Sequence, residues 1–211
     1  MEILITVFSL IVLLFSVMIH EIAHGYVAFT LGDSTAKYEG RLTLNPLKHL
    51  DPFGSIILPL LLLLATAGQG PIFGWAKPVP VNPYNFKDQK WGALKVAISG
   101  PLTNFGIAII FGLFIRFLNL PLNAPFAQLL AIITIYNFMW GLFNLIPIPP
   151  LDGSWILFRL LPQSWNKVKF VLQQYSLFIL IFFIFFYGLT GLLDIAQLLF
   201  QLVTGISFPL I

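Results

Sequence analysis

The chain alternates between long apolar segments and short polar ones. About 20 apolar residues in a helix cross the hydrocarbon core of a bilayer, and four segments are long enough to do so, while a fifth is shorter. These segments are Ile3–Leu31, Trp91–Leu118, Ala124–Ile146, Phe170–Tyr187 and the shorter Leu189–Val203. The pattern therefore predicts membrane-spanning helices for most of the chain.

The remaining stretches predict smaller elements. The apolar run SIILPLLLLLATAGQG is short and contains Pro59, which favours a re-entrant or interfacial segment over a full span. RLTLNP alternates and ends in proline, which predicts a short strand at the membrane surface, and GWAKPVPVNP predicts an extended loop. The predicted fold is an all-α multi-pass membrane protein with about five to six membrane segments and a small β or re-entrant element.

Composition supports a membrane protein and excludes several other classes. Of the 211 residues, 58% are hydrophobic and 9% are charged, whereas about a quarter of a soluble domain is charged. The net charge of +3 is small and the basic residues lie in loops, so they indicate membrane topology and not nucleic-acid binding. The chain has no cysteine, which excludes disulfides, thiol nucleophiles and cysteine-ligated metals. The first residues lack the basic stretch and cleavage site of a signal peptide, so we expect the first segment to be retained.

The lysines and arginines predict the orientation, because cytoplasmic loops are enriched in them. All 11 basic residues except Arg116 fall in or beside loops that can share one side of the membrane. This arrangement requires residues 56–68 to enter the bilayer and return on the same side. We therefore expect a multi-pass protein of the cell membrane with its N-terminus outside and His20 in the cytoplasmic half of the first helix.

Three ionisable residues inside the first apolar segment indicate a functional site, because such groups are costly in a membrane. The motif His20-Glu21-Ile22-Ala23-His24 places its two histidines on one helix face, about 6 Å apart along the axis. Two imidazoles with this spacing can bind one zinc ion, and the glutamate beside the first can deprotonate water at the metal.

A catalytic zinc site usually takes a third protein ligand. The candidates are His49, Asp33, Asp51, Asp88, Asp152 and Asp194. Asp152 is favoured because it lies in the helix break PIPPLDG between long apolar segments, where irregular backbone can line a cavity. The alternative for Asp152 is a helix N-cap for the residues that follow, and His49 and Asp51 are expected to be solvated in a polar loop.

Three asparagines in the predicted spans have two interpretations each. Asn104, Asn137 and Asn144 can bind the backbone of an unwound substrate, or they can join helices through polar contacts. The two interpretations are balanced for Asn104 and Asn144, and helix packing is favoured for Asn137. RLTLNP and GWAKPVPV can likewise serve as an edge that pairs with an extended substrate or as plain interfacial loops.

The same ionisable groups also fit a different class of protein, a small membrane transporter or channel that uses them as a proton or metal relay. A relay needs groups spread across the bilayer, whereas His20, His24 and Asp152 are predicted to cluster near one depth. The clustering favours hydrolysis at a metal.

The motifs together resemble the site-2 protease family of intramembrane zinc metalloproteases. The resemblance rests on HEIAH in an early helix, GPLTN in a middle helix, NLIPIPPLDG at the end of another, and GWAKPVPVNP as the connecting loop of the compact prokaryotic branch. It extends over residues 16–155. The PDZ insertion and nucleotide-binding regulatory domain of other members are missing from the chain.

The resemblance implies one zinc ion per chain, bound by His20, His24 and Asp152, with Glu21 as the catalytic base and Asn144 in substrate binding. It implies a three-helix core made of segments 3–31, 91–118 and 124–150. We therefore expect a single metalloprotease domain over 1–211, with its catalytic core in about 1–160 and C-terminal helices in about 165–205. The expected partners are transmembrane protein substrates cleaved within the bilayer, as in regulated intramembrane proteolysis. A silent member that only binds substrates is disfavoured because both histidines and Glu21 are intact.

Overall fold

The computed structural model describes residues 2–66, 76–121, 123–184, 186 and 189–207. The described residues are mostly helical and contain no β-strand. Their α-helices are α1 (Glu2–Thr30), α2 (Thr35–Tyr38), α3 (Leu58–Ala65), α4 (Gly92–Phe117), α5 (Pro125–Asn144), α6 (Asp152–Leu160), α7 (Asn166–Gln174), α8 (Ser176–Phe183) and α9 (Leu189–Thr204).

Three of the described helices are long and apolar enough to cross a membrane: α1 over Ile3–Thr30, α4 and α5. At 1.5 Å per residue, even α5, with 20 residues, extends about 30 Å, the thickness of the hydrocarbon core. α1, α4 and α5 pack against one another, which agrees with the expected three-helix core.

The last helix lies against this core. α9 packs on α4 and α5, and the three helices bury a shared apolar cluster that includes Phe138 and Phe200. Arg116, at the end of α4, donates to the carbonyl of Leu202 over 3.2 Å. With 16 residues, α9 extends about 24 Å, less than the hydrocarbon core.

The segment predicted to span from Phe170 to Tyr187 is divided in two. α7 ends at Gln174 and α8 begins at Ser176, because Tyr175 leaves helical backbone geometry with φ −104° and ψ 10°. α7 carries charged and amide side chains along NKVKFVLQQ, which favours the membrane surface over its interior. Tyr187 itself lies outside the described residues.

The strand predicted in RLTLNP does not form. Residues 42–44 form a bend, and Asn45 then accepts from Leu47 N and starts a 3₁₀ turn over Pro46–Lys48. The described part of the chain has an isolated bridge between Leu50 and Ala76 in place of the predicted β element. Residues 52–65 form a π-helical turn followed by α3. Residues 67–75, which include all of GQGPIFGW, lie outside the described part.

Candidate metal centre

α1 brings the two histidines of its motif to the interface with α4. His20 and His24 are buried at 2% and 8% exposure, and their Nε2 atoms lie 3.0 Å apart. The rings meet edge to face with their centroids 4.6 Å apart. One helical turn therefore places both ring nitrogens at the same point, as the spacing predicts.

Asp152 reaches this point from the turn that follows α5. A Cβ atom on Gly153 would collide with the carbonyl groups of Leu145 and Ile146, so glycine allows the chain to fold back tightly on the end of α5. Asp152 Oδ2 then lies 3.0 Å from His20 Nε2 and 3.2 Å from His24 Nε2. Leu151, and not Asp152, holds the N-cap position of α6, so the N-cap alternative for Asp152 is wrong.

The hydrogen bonds on the other side of each ring define the histidine tautomers. His24 Nδ1 lies 2.7 Å from the carbonyl oxygen of Val96, which only accepts, so Nδ1 carries the proton. Asn104 Nδ2 donates to the carbonyl of Ser16 over 3.2 Å, which turns Asn104 Oδ1 towards His20 Nδ1 at 2.7 Å. His20 therefore also donates from Nδ1, so in the neutral form of each ring Nε2 keeps its lone pair.

When both rings are neutral, three electron-pair donors converge: the two Nε2 atoms and Asp152 Oδ2. Oδ2 is buried, and no hydrogen bond from the described residues reaches it. Such a carboxylate oxygen is unfavourable unless a cation neutralises it. Donor atoms around tetrahedral zinc lie about 3.3 Å apart, given bonds of about 2.0–2.1 Å, so separations of 3.0–3.2 Å fit this ion.

Gly100 of the GPLTN motif makes the close approach of α4 to the histidines feasible. A Cβ atom at this position would lie 2.6 Å from His20 Nε2 and 2.6 Å from His24 Cε1. Any side chain would displace a ring nitrogen from the centre. The sequence analysis missed this function of Gly100, although the glycine inside an apolar helix was a visible signal.

Glu21 points to the segment that connects α3 and α4. Its Oε2 accepts a hydrogen bond of 2.8 Å from the backbone N–H of Val79. Both residues line a cavity of about 410 Å³, together with the histidines, Asp152, Asn144 and apolar side chains that include Val81, Phe86, Ala97 and Trp155. The Glu21 carboxylate thus lies in the same mostly apolar cavity as the three converging donor atoms. Such a site can place a base next to a peptide.

The asparagines separate into two groups. Asn144 lines the cavity, and its Nδ2 donates to the Trp140 carbonyl of its own helix over 3.0 Å. Asn104 is fully buried and lies beneath His20, outside the cavity lining. Asn137 is buried as well, and its Oδ1 accepts from Asn104 Nδ2 over 2.9 Å, which agrees with helix packing.

The other candidate ligands lie elsewhere in the described structure. Asp51 caps the turn at Gly54, Asp88 pairs with Lys95 and Asp194 is exposed on α9. The expectation that His49 is solvated is wrong, since it is 1% exposed and its Nε2 donates to the Thr43 carbonyl. Among the described residues, His20, His24 and Asp152 are the cluster whose geometry suits a metal.

Comparisons with known proteins agree with this centre. The model of Peptidase family M50 matches residues 120–187. The chain is 43% identical over 165 residues to "Putative zinc metalloprotease YwhC" of Bacillus subtilis, covering 74% of this chain and 70% of that protein. It is 31% identical over 161 residues to "Zinc metalloprotease MJ0392" of Methanocaldococcus jannaschii, covering 76% of this chain and 36% of that protein.

No solved structure matches the chain, so the family rests on sequence alone. The family match begins after the HEIAH motif, whereas the similarity to the bacterial relative extends over most of the chain. The chain therefore belongs to peptidase family M50, the site-2 protease family, and the resemblance drawn from its motifs is confirmed.

Proposed function

We propose that this chain is an intramembrane zinc metalloprotease that hydrolyses peptide bonds in or near the transmembrane segments of membrane proteins. One observation carries the proposal: two histidine lone pairs and a buried carboxylate oxygen meet within 3.0–3.2 Å, beside a glutamate that lines the same cavity. The relatives named zinc metalloprotease support it.

His20, His24 and Asp152 would hold one zinc ion. When bound, zinc polarises the peptide carbonyl and the attacking water. Glu21 accepts a proton from that water as the water oxygen bonds to the carbonyl carbon. Glu21 then delivers the proton to the leaving amine as the C–N bond breaks. One water is consumed, and a carboxylate and a protonated amine are produced.

Asn104 acts through His20 in this proposal. Its Oδ1 fixes the imidazole tautomer and orientation, and outer partners of this kind tune metal affinity. The Val96 carbonyl does the same for His24. We therefore assign Asn104 to positioning the ligand, in place of the substrate contact that the sequence suggested.

Asn144 is our candidate for substrate binding. Its Oδ1 accepts no hydrogen bond from the described residues, and its side chain lines the cavity. A transmembrane helix must unwind before hydrolysis, and each backbone group freed in lipid needs a partner. Apolar side chains around the cavity suit the apolar residues of a membrane segment. Residues 76–81, the described part of GWAKPVPV, stay a candidate edge for pairing with the extended substrate.

We propose that the protein is a multi-pass protein of the cell membrane with about five to six membrane segments. The C-terminal ends of α1 and α5 and the start of α4 share the end that carries the metal centre. The loops at this end carry the basic residues, and Arg116 lies at the opposite end of α4. By the positive-inside rule, the N-terminus is outside and the centre is towards the cytoplasm.

The domain boundaries remain as proposed from the sequence, with a catalytic core in about 1–160 and C-terminal helices in about 165–205. The packing of α9 on α4 and α5 supports a single domain over 1–211. A transporter or channel is disfavoured, since His20, His24 and Asp152 converge on one point and do not form a path across the bilayer.

Cleavage of membrane substrates tests the proposal. The purified protein is placed in vesicles with a panel of single-span membrane proteins, with and without a zinc chelator, and fragments are read by mass spectrometry. We expect new termini in or beside a transmembrane segment, lost with chelator and restored by zinc. Cleavage that the chelator leaves unchanged would contradict the zinc mechanism.

A further inference from the structure

Arg41 is a buried cation without an acidic partner. Its side chain is 3% exposed, and it forms no ion pair with any carboxylate of the described residues. Its Nε is also buried without a hydrogen-bond partner in the described part of the chain. Burying a guanidinium in this way costs several kcal/mol. Stability of the fold therefore does not explain why Arg41 is buried here, which suggests a functional reason.

The contacts of Arg41 are backbone carbonyls next to the proposed base. Its Nη2 donates to the carbonyl of Lys77 over 2.6 Å and to that of Pro78 over 3.3 Å. The N–H on the other side of the Pro78–Val79 peptide group donates to Glu21 Oε2 over 2.8 Å. A single peptide group therefore links a buried cation to the carboxylate of Glu21.

This linkage strengthens both hydrogen bonds. A cation at the carbonyl oxygen polarises the peptide group, and the polarised N–H donates more strongly to an anion. Glu21 Oε2 is thereby fixed, whereas Oε1 accepts no hydrogen bond from the described residues and is available for a water proton. The arrangement orients the base without contacting the reacting atoms.

We propose that Arg41 is a positioning residue for peptide hydrolysis, because it holds Glu21 in place through the Pro78–Val79 peptide group. This inference rests on the proposed function, in which Glu21 is the base. Arg41 is not among the residues that line the cavity, and its hydrogen bonds in the described structure go to the Lys77 and Pro78 carbonyls and not to the proposed metal ligands. Its effect is therefore on turnover.

The residues that follow Val79 are also held by a buried charged side chain, that of Asp33, which makes the linkage rigid. Asp33 accepts from the N–H of Asn82 over 2.7 Å and from Asn85 Nδ2 over 2.8 Å. The absence of a side chain on Gly25 lets Val79 lie against α1, since a Cβ there would be 2.7 Å from Val79 Cγ1. Arg41 therefore acts on a backbone segment whose other end is already fixed.

Replacement of the guanidinium tests the positioning role. Arg41→Gln removes the cation. Arg41→Lys keeps the charge but lacks the planar guanidinium group with its several N–H donors. The matched control is Arg116→Gln, because Arg116 also donates to two backbone carbonyls, those of Leu202 and Val203, at the far end of α4. The probe is a membrane substrate that the wild type cleaves, with kcat, KM, zinc content and melting temperature measured for each variant.

We expect Arg41→Gln to lower kcat about 10- to 100-fold, the loss typical of a misplaced catalytic group, while KM and zinc content stay within about twofold. Arg41→Lys should restore part of the rate, and the control should keep wild-type kcat. Normal kcat in Arg41→Gln, or a loss equal to that of the control, would overturn the proposal. Failure of the wild type to cleave any substrate would instead refute the proposed function.

A second variant keeps the test informative if Arg41→Gln does not fold. Val79→Pro removes the N–H that bonds Glu21 and also replaces the side chain that lies against Gly25 of α1. The position is already flanked by prolines, and the variant should reproduce the loss of kcat with zinc retained. In a Glu21→Gln background neither Arg41→Gln nor Val79→Pro should lower the residual rate by more than about twofold, since both act through Glu21. Full losses in that background would contradict the linkage.

Discussion

Replacement of Asn104 by alanine should weaken zinc binding without a direct effect on substrate. The change removes three buried hydrogen bonds: from His20 Nδ1 at 2.7 Å, to Asn137 Oδ1 at 2.9 Å and to Ser16 O at 3.2 Å. His20 loses the acceptor that fixes its tautomer, so Nε2 no longer presents its lone pair in every molecule.

The size of the effect follows from these contacts. Loss of an outer partner of a metal-ligating histidine typically costs 10- to 100-fold in metal affinity, which is about 1.4–2.8 kcal/mol. The two groups left buried without partners, His20 Nδ1–H and Asn137 Oδ1, each cost about 1–3 kcal/mol of stability. Asn104→Ala should therefore bind zinc 10- to 100-fold more weakly and melt at a lower temperature.

The assay is competition for zinc between the purified protein in detergent and a chelator of known affinity. Thr134→Val is the matched control, because Thr134 is equally buried and, within the described structure, its hydroxyl bonds only to the Leu130 carbonyl of its own helix. The control should keep wild-type zinc affinity. Wild-type zinc affinity in Asn104→Ala, combined with a raised KM for substrate, would refute the positioning role and favour the substrate contact, one of the two interpretations of Asn104 from the sequence.

Three further predictions concern the substrate, the effect of pH and the topology. Asn144→Ala should slow cleavage of helical substrates about fivefold more than that of pre-extended peptides, the value of one hydrogen bond of about 1 kcal/mol, and equal losses on both in a rate assay would contradict unwinding. Burial opposes ionisation of Asp33, but hydrogen bonds from Thr35, Asn82 and Asn85 outweigh it and hold the pKa of its carboxyl below the usual value. The ionised Asp33 carboxylate therefore stabilises the fold fully above pH about 4, and this contribution is lost as the pH falls through the folded-state pKa. Between pH 5 and pH 3, the melting temperature of the wild type should fall more than that of Asp33→Asn. An equal fall in both proteins would refute this. Tyr38→Cys and Tyr84→Cys, at positions 86% and 90% exposed, should react with an impermeant thiol reagent only after the cytoplasmic side is opened, and labelling in intact cells would reverse the orientation.

The metal cluster could be predicted because its signals are local or chemically rare. His20 and His24 follow from helical periodicity, which needs no knowledge of the neighbouring helices. Asp152 follows from the cost of placing an acid in a helix break between apolar segments. The three long helices follow from length and hydrophobicity alone.

The contacts between segments could not be predicted, because they depend on how the helices rotate and where the loops fold. The sequence does not reveal which face of α4 meets α1, so Asn104 had two interpretations until its contact with His20 was known. His49 was expected in solvent because its neighbours are polar, yet the loop folds over it. The link between Arg41 and Glu21 joins residues of separate segments through a backbone group that carries no sequence signal.

The hydrophobic pattern also has a physical limit near the C-terminal part of the chain. The span predicted from Phe170 onward misses the break at Tyr175, where α7 ends and α8 begins. The strand predicted in RLTLNP had the right alternation but lacked a long partner strand, and Asn45 turned the chain instead. Alternation alone does not stabilise a strand without a neighbour.

The most direct test of the central claim is the turnover of wild type and Glu21→Gln on one membrane substrate at equal zinc content. The substituted amide would keep the size of the side chain but could not accept the proton from water. We expect one zinc ion per chain in both proteins and a rate about 10²–10⁴-fold lower in the variant, the usual contribution of a general base. Equal rates in the two zinc-loaded proteins would contradict the account.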